Sequence, residues 1–408
     1  MSTVAIPVKA APSPALQPLR VMHVLNYVRR GGTEFGILKL MDGHDKKQFE
    51  HLLCTTRQYD QDFVDAYALR DRLYIAAGKN QGLQFPFLRL KKIFEACRPH
   101  IVHTRNWGAL EAVPAARLAG VPVIIHSEHG YETHNMDGLP IRQRVFRRFA
   151  YSMVDTVFTV TRELRDYHAR QAWLSPERIS VIPNGVDSQR FSPSASARCQ
   201  IRAELGISPD TLVLGTVGRM VPIKDYGTLL ASADALAQRG LDVHVLLVGK
   251  GPELPALQAR AASLPSLARK VSFLGASDRV HDLLNAMDIF VLTSLSEGMS
   301  NTLLEAMSTG LPVLATRAGG NPEVIGDANS RWLFSPRDVR GLADLVERLA
   351  HDAAARALHG EKARNHILEE FSLERMWQRY SDLYTQAVAR RRPAASSLRI
   401  HSSRQSPA

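Results

Sequence analysis

A chain of 408 residues is long enough for two or three domains, and its 45% hydrophobic and 22% charged residues are ordinary for a globular protein. No apolar run approaches the roughly 18 residues that span a bilayer, and residues 1–20 lack the apolar core of a signal peptide, so we expect neither a membrane span nor export. The three cysteines are widely spaced, which predicts a reduced, cytoplasmic compartment.

The formal net charge of +11 suits nucleic acid, an anionic membrane surface or a phosphate-bearing substrate. The sequence has no zinc-finger spacing, no aromatic RNA-binding motif and no long basic tract. We therefore do not expect nucleic acid as a partner.

The first predicted strand lies at residues 20–26 and follows a Pro/Ala/Ser-rich segment, 1–18, that we predict to be disordered. Gly31 and Gly32 stand in the turn after this strand, and a helix follows with Thr33 as its predicted N-cap. Glycines at such a turn let the backbone approach a phosphate or sugar, because no Cβ intervenes. A plain tight turn is the alternative.

The same alternation of strand and helix continues through the first half of the chain. Three more strands are predicted at residues 51–55, 100–104 and 122–126. This pattern predicts an α/β fold with a mostly parallel sheet and helices on both faces. His129 and Gly130 follow the last of these strands, where a titratable side chain at the ligand edge can meet a reacting sugar.

Two patterns resemble metal sites. Asp60 and Asp62 form a D-x-D motif, which we interpret as the start of a helix, where carboxylates complement the helix dipole. His126, His129 and His134 match no familiar zinc spacing and have no thiol nearby. We therefore expect no metal.

Residues 139–170 contain a basic amphipathic segment, with seven arginines between Arg142 and Arg170. Its apolar residues share one helical face: Ile141, Val145, Phe149 and Met153. The helix either packs this face on the core and leaves a solvated basic face, or lies on an anionic bilayer.

A Ser/Pro-rich segment at residues 188–198 predicts a domain boundary. We assign residues 19–190 to an N-terminal domain, 191–371 to a C-terminal domain, and 391–408 to a disordered tail. A final helix is predicted at about 372–390.

The second half repeats the β/α pattern, beginning with a strand at residues 212–217. Arg219 and Lys224 follow this strand, and two cations at its ligand end could clamp a diphosphate; unrelated surface charges are the alternative. Gly249 and Gly251 lack the third glycine of a dinucleotide fingerprint, so that signal is weak.

The most informative stretch begins with a predicted buried strand at residues 288–293. A helix follows, with Ser300 as N-cap and Gly310 at its end, and its N-terminus favours an anion. Glu297 and Glu305 flank this helix start and can grip hydroxyls at two ends of one ligand. A nucleotide sugar fits this arrangement, whereas a turn-capping and a solvated carboxylate are the plain alternative.

Taken in order, these motifs strongly resemble the family 4, or group 1, glycosyltransferases of the GT-B fold, over roughly residues 20–388. The motifs are Gly31-Gly32-Thr33-Glu34, His129-Gly130, residues 182–187, Val217-Gly218-Arg219 with Lys224, residues 248–252, Glu297 to Glu305, and residues 310–313. The resemblance implies two Rossmann-like, doubly wound domains facing a central cleft, with the final helix crossing back to the first domain. The motif texture is also similar to a bacterial branch linked to exopolysaccharide and exosortase loci.

The resemblance implies a donor-binding set in the second domain. Arg219 and Lys224 would neutralise the diphosphate, Gly298 and Met299 would offer backbone N–H groups, and Ser300 would complete the set at the helix start.

The remaining roles concern the sugar and the opposite domain. Glu305 would bind the ribose, and Glu297 would contact the transferred sugar as a catalytic residue. Gly31 and Gly32 would approach the leaving phosphate, and His129 would support the charge that develops at the sugar.

The implied reaction is transfer of a hexose-type sugar from a UDP- or GDP-type donor to a saccharide or polyprenyl-linked acceptor, in bacterial polysaccharide synthesis. It would retain the anomeric configuration, with no protein nucleophile, no cofactor and no metal, because fixed cations and a helix start stabilise the leaving diphosphate. The protein would be cytoplasmic and peripheral to the inner membrane through residues 139–170.

Two other functions remain open. A UDP-sugar 2-epimerase shares the architecture and would act on the donor alone. A basic nucleic-acid- or membrane-binding module would use the charge but would leave the cleft motifs unexplained.

Overall fold

The computed structural model describes residues 18–76, 86–132, 138–267 and 269–391. Within these residues the first domain has a seven-stranded parallel sheet with the order β3-β2-β1-β4-β5-β6-β7. Its strands are β1 Leu19–Val28, β2 Phe49–Tyr59, β3 Leu73–Ile75, β4 Ile101–Arg105, β5 Val123–Glu128, β6 Thr156–Thr159 and β7 Ile179–Val181. The strand order reverses between β1 and β4, the position at which such sheets open a ligand crevice.

The second domain repeats this plan with a six-stranded parallel sheet, in the order β10-β9-β8-β11-β12-β13. Its strands are β8 Leu212–Val217, β9 Val243–Val248, β10 Val271–Gly275, β11 Ile289–Leu292, β12 Val313–Thr316 and β13 Leu333–Phe334. The order reverses between β8 and β11, so the second crevice opens at their carboxyl ends.

Helices cover both faces of each sheet. Those between the strands of the first domain are α1 Gly32–Gly43, α2 Gln61–Ala66, α3 Phe87–Cys97, α4 Ala112–Leu118, α5 Ile141–Ser152 and α6 Arg162–Gln171. Those of the second are α7 Ala195–Glu204, α8 Tyr226–Gln238, α9 Leu254–Ala262, α10 Val280–Asn285, α11 Asn301–Ser308, α12 Asn321–Ile325, α13 Val339–Ala350 and α14 Ala353–Glu370. The central strands β4, β5, β11 and β12 are buried along their whole length, as expected for parallel strands covered on both faces.

The last helix, α15 Leu373–Arg391, returns to the first domain. Its apolar residues, including Met376 and Tyr384, pack in one cluster with Val21 and Ile101 of the first sheet. The chain first crosses between the domains in residues 182–194, after β7 and before α7, and the predicted boundary at 190/191 lies in this crossover. The predicted architecture of two Rossmann-like domains is confirmed.

One local prediction was wrong. Helix α1 begins at Gly32 with Gly31 as its N-cap, so Thr33 lies inside the helix. Residues 339–370 form two helices, α13 and α14, because Asp352 caps the second by accepting a hydrogen bond from Ala355 N (2.8 Å). The segments predicted to be disordered lie outside the described residues, except Pro18, which directly precedes β1, and Arg391, which is the last residue of α15.

Candidate active site

The two crevices face each other, and the predicted site residues lie along both. Gly31 and Gly32 follow β1, and His129 follows β5. A Cβ added to Gly32 would stand 3.2 Å from the side-chain nitrogen of Asn301, the first residue of α11. The glycine turn of the first domain therefore meets the helix start of the second.

Gly298 lies in close contact with the first domain. Its carbonyl accepts a hydrogen bond from Thr161 Oγ1 (3.3 Å), and a Cβ added to it would overlap the carbonyl oxygen of His129. Only a residue without a side chain fits between these backbones. The structure thus brings Gly298 and His129 together.

The start of α11 has the chemistry of an anion site. Ser300 Oγ accepts from Leu303 N (3.3 Å), which confirms Ser300 as the N-cap. No described residue accepts a hydrogen bond from the backbone N–H groups of Gly298, Met299 or Ser300. These groups and the helix dipole favour a negative charge in front of α11.

The predicted diphosphate clamp and the predicted sugar ligand touch each other. Lys224 forms an ion pair with Glu297, whose Oε1 also accepts from Ser294 Oγ (2.6 Å). Arg219 is exposed and has no ion pair with a described residue. Lys224 must therefore share its charge between Glu297 and an incoming diphosphate, whereas Arg219 is free to meet one.

Glu305 lies further along α11 and faces the first domain. Burial raises the pKa of its carboxyl to about 7, against the attraction of Lys39 and Arg190. Burial also lowers the pKa of Lys39, whose Nζ donates to Gly185 O (3.0 Å). Glu305 therefore changes charge near neutral pH, under the influence of one cation from the first domain, Lys39, and one from the crossover between the domains, Arg190.

His129 is held by three residues of its own domain. Its Nε2 lies 3.1 Å from Arg105 Nη1 and 3.0 Å from Ser127 Oγ, and its backbone N donates to Asn106 Oδ1 (2.8 Å). Burial and the nearby Arg105 lower its pKa to about 3. His129 is therefore a neutral imidazole at physiological pH.

Sequence reasoning missed Arg105, the last residue of β4, which is only 2% exposed and has no carboxylate of the described residues within ion-pair distance. Its signal was its place at the carboxyl end of an apolar strand beside the switch point. It also missed Glu323, which crosses the domain interface to accept hydrogen bonds from Arg162 N and Glu163 N (both 2.9 Å) at the start of α6.

The residues of the two motifs that resemble metal sites have other contacts in the structure. Asp60 caps α2 by accepting from Phe63 N (3.3 Å), as the helix-start interpretation predicted, and His134 lies outside the described residues. Among the described residues, the acidic and histidine groups close enough to share an ion are Glu128, Glu132 and His168. The buried guanidinium of Arg147 contacts both carboxylates and so supplies the cation there.

Helix α5 is turned opposite to the core-packed alternative, which was wrong. Ile141, Val145 and Phe149 are 66%, 54% and 55% exposed, whereas Arg147 is fully buried. Met153, the fourth residue of the predicted face, is half-buried and packs against the core. The physical reason is that the Arg147 guanidinium pairs inside the domain with the carboxylates of Glu128 and Glu132. Because Arg147 faces inward, the opposite, apolar face of α5 faces solvent. Within the described part of the chain, no helix combines the length and apolar character needed to cross a bilayer.

Two family models and several known proteins match this chain. Residues 30–190 match the family model described as "Glycosyltransferase Family 4", and residues 211–352 match that described as "Glycosyl transferases group 1". A "Putative glycosyltransferase EpsF" of Bacillus subtilis (strain 168) is 31% identical over 310 residues, which cover 72% of this chain and 78% of that protein.

A second relative, from Escherichia coli, is described as "UDP-Gal:alpha-D-GlcNAc-diphosphoundecaprenol alpha-1,3-galactosyltransferase" and is 28% identical over 74% of this chain and 79% of its own length. Among solved structures, Anabaena Alr3699/HepE in complex with UDP superposes with a TM-score of 0.77 at 20% identity, covering 90% of this chain and 100% of that one. At this identity the likeness shows the fold alone.

Proposed function

Because this chain belongs to the family 4, group 1 glycosyltransferases, we propose that it transfers a hexose-type sugar with retention, from a UDP- or GDP-type donor to a saccharide or polyprenyl-linked acceptor. The pathway we propose is bacterial polysaccharide synthesis. The observation that carries the proposal is the contact of Gly298 with His129 across the domain interface, where Gly298 lies between the Lys224–Glu297 ion pair and the start of α11 in the sequence.

The donor diphosphate would lie before α11. Arg219 and Lys224 would supply two positive charges, and the free N–H groups of Gly298, Met299 and Ser300 would bind phosphate oxygens. Fixed donors and cations of this kind stabilise the charge that develops on a leaving diphosphate. We therefore propose that transfer needs no metal.

Retention would proceed on one face of the sugar, through an ion-pair-like transition state, with the departing phosphate helping to deprotonate the acceptor. Glu297 is a poor nucleophile, because Lys224 and Ser294 draw on the same carboxylate oxygen. It would instead bind hydroxyls of the transferred sugar, while Glu305 would bind the ribose.

The acceptor would be reached at a membrane surface. The exposed face of α5 carries Ile141, Val145 and Phe149 between exposed arginines, Arg142 and Arg148. Such a face buries apolar side chains in a bilayer while its guanidinium groups meet anionic headgroups. The lipid-linked acceptor named for the E. coli relative supports this arrangement.

The test is a thermal-shift panel of UDP, GDP, ADP and their common sugars with EDTA present, on the wild type, Lys224→Ala and Glu305→Ala. A ligand at about a hundred times its dissociation constant stabilises by roughly 2.7 kcal/mol, which is a measurable shift. We expect one nucleotide to stabilise the wild type and both variants to respond less. No response to any nucleotide would refute the proposed donor site.

Two further measurements separate the reaction types. An NMR time course of the isolated acceptor product should show a retained anomeric configuration, and an inverted product would refute the mechanism. Epimerised sugar formed from donor without acceptor would instead indicate the 2-epimerase reaction.

A further inference from the structure

The buried hydrogen bonds around His129 have a direction that follows from the chemistry of their ends. A guanidinium has only donors and a backbone carbonyl has only acceptors, whereas each neutral imidazole has one nitrogen of each kind. Where a chain of histidines joins an arginine to a carbonyl, every proton position in it is therefore determined. The first domain contains such a chain.

This first chain joins Arg105 to α15 through three histidines. Its contacts are Arg105 Nη2 to His23 Nδ1 (3.4 Å), His23 Nε2 to His51 Nδ1 (2.9 Å), His51 Nε2 to His44 Nδ1 (3.1 Å) and His44 Nε2 to Trp377 O (3.2 Å). Burial lowers the pKa of each of these histidines, so all three are neutral. Each histidine accepts at Nδ1 and donates from Nε2. The donor Arg105 at one end and the acceptor Trp377 O at the other both require this direction.

A second chain joins α15 to His129. Its contacts are Tyr384 Oη to His103 Nδ1 (2.9 Å), His103 Nε2 to Ser127 Oγ (2.9 Å), and Ser127 Oγ to His129 Nε2 (3.0 Å). Arg105 Nη1 donates to the same His129 Nε2 (3.1 Å), so that nitrogen carries no proton. Ser127 must then donate to His129 and accept from His103, which in turn accepts from Tyr384.

These hydrogen bonds determine the protonation of the other ring nitrogen of His129, Nδ1. With Nε2 an acceptor, the neutral ring carries its proton on Nδ1, and no described residue forms a hydrogen bond with Nδ1. The carbonyl of the same residue lies against Gly298 of the second domain. The ring is thus left with one free N–H donor beside the interface where the donor sugar would bind.

We propose that Arg105 and Tyr384 are positioning residues, which lock His129 in the Nδ1–H tautomer so that it acts on the donor sugar-phosphate as a hydrogen-bond donor and not as a base. This inference rests on the proposed function for the identity of the ligand, but not for the tautomer. It makes α15 part of the structure that positions His129, because both chains end on that helix. Helix α15, which returns from the second domain, thereby helps to determine which ring nitrogen of His129 carries the proton.

The test reads the tautomer directly. The full chain is labelled with 15N-histidine, and a long-range 1H–15N correlation spectrum shows which ring nitrogen carries the proton, with His129→Gln identifying the peaks. The wild type should show His129 protonated on Nδ1. An Nε2–H signal in the wild type would overturn the proposal, whatever the activity.

Two variants test the cause. Arg105→Met removes the donor to His129, so the Nε2–H tautomer should appear and kcat should fall roughly 10- to 100-fold, with little change in the donor KM, which is the scale known for the hydrogen-bond partners of metal-binding histidines. Tyr384→Phe keeps the packing, releases only the second chain, and should give a smaller shift of both readouts. Tyr380→Phe is the matched control, because this buried tyrosine of the same helix forms no side-chain hydrogen bond with a described residue.

An unchanged His129 tautomer in both Arg105→Met and Tyr384→Phe would overturn the proposal, even if activity fell, since the loss would then be structural. Failure of the proposed function would appear elsewhere, as a wild type that no nucleotide stabilises in the thermal-shift panel. The two outcomes are therefore distinguishable.

Discussion

Gly298 lies directly against the carbonyl oxygen of His129, so closely that a Cβ atom added at Gly298 would overlap that oxygen. The two backbones belong to different domains, and their contact requires a residue without a side chain. The close contact of the two domains at the site therefore depends on this glycine.

We predict that Gly298→Ala lowers kcat/KM at least about tenfold while each domain stays folded. Overpacking costs about 1 to 3 kcal/mol, and here the strain can be relieved by separating the domains. Steady-state kinetics and small-angle X-ray scattering would measure this. Gly36→Ala is the control, because Gly36 has open space around its Cβ position in α1, and that variant should keep full activity. Wild-type kinetics for Gly298→Ala would contradict the prediction.

The Lys224–Glu297 ion pair predicts that removing the carboxylate and removing the ammonium have opposite effects on nucleotide affinity. Glu297→Gln frees the Lys224 ammonium for the diphosphate, so UDP or GDP affinity should be kept or rise while transfer falls. Lys224→Met leaves the Glu297 carboxylate near the phosphates without its cation, so affinity should fall about tenfold or more, the scale of one charged hydrogen bond. Calorimetry would measure both dissociation constants, and equal losses in the two variants would argue against a shared cation.

Glu305 predicts a pH-dependent stability. Its pKa is about 7 in the folded protein against its ordinary value of 4.5, so its ionised form is disfavoured by folding. Relative to Glu305→Gln, the wild type should therefore have its largest free energy of unfolding below about pH 4.5. This free energy should fall by up to about 3 kcal/mol as the pH rises to about 7, at roughly 1.4 kcal/mol per pKa unit.

Urea unfolding of both proteins without nucleotide, at intervals between pH 4.5 and 8, would show this difference. Equal pH profiles for the wild type and Glu305→Gln would mean that the carboxyl is ionised without penalty in the folded state.

The exposed apolar face of α5 predicts binding to anionic vesicles. The double variant Val145→Glu/Phe149→Glu should lose binding to phosphatidylglycerol-containing vesicles by at least about tenfold, because it removes apolar burial and adds repulsion. Donor affinity should be unchanged. Vesicle sedimentation at low and high salt would measure this.

Leu358→Glu is the matched control for the α5 prediction, because Leu358 is 47% exposed on α14 of the second domain. Undiminished vesicle binding by the α5 variant would show that membrane contact, if it occurs, uses another surface.

The elements of the site were predictable because their signals are local. Ser300 caps α11, residues 289–292 form the buried strand before it, and Gly310 ends the helix with a positive φ of 78°. Each of these follows from a side chain acting on backbone a few residues away. The crossover after β7 and the return of α15 were also visible, through composition and through the resemblance to a known fold.

The pairings within the site depended on contacts between distant parts of the chain. A helical wheel of α5 shows its apolar face but not that Arg147 is the residue turned inward, because this depends on Glu128 from a neighbouring strand. Lys224 and Glu297 lie 73 positions apart, and nothing in the sequence reveals that they share a charge.

The sequence by itself determined the family, the two-domain plan, and the residue types that can hold a nucleotide sugar. The reason is that motifs and helix caps depend on residues close together in the chain. Only the tertiary structure decided the state of those residues. His129 is a neutral imidazole because burial and the nearby Arg105 lower its pKa, and its proton lies on Nδ1 because Arg105, from another strand, donates to Nε2. Tyr384 of the last helix reaches His129 only through His103 and Ser127. Hydrogen-bond direction depends on which donor meets which acceptor, and that is set by packing between segments as far apart as 281 residues.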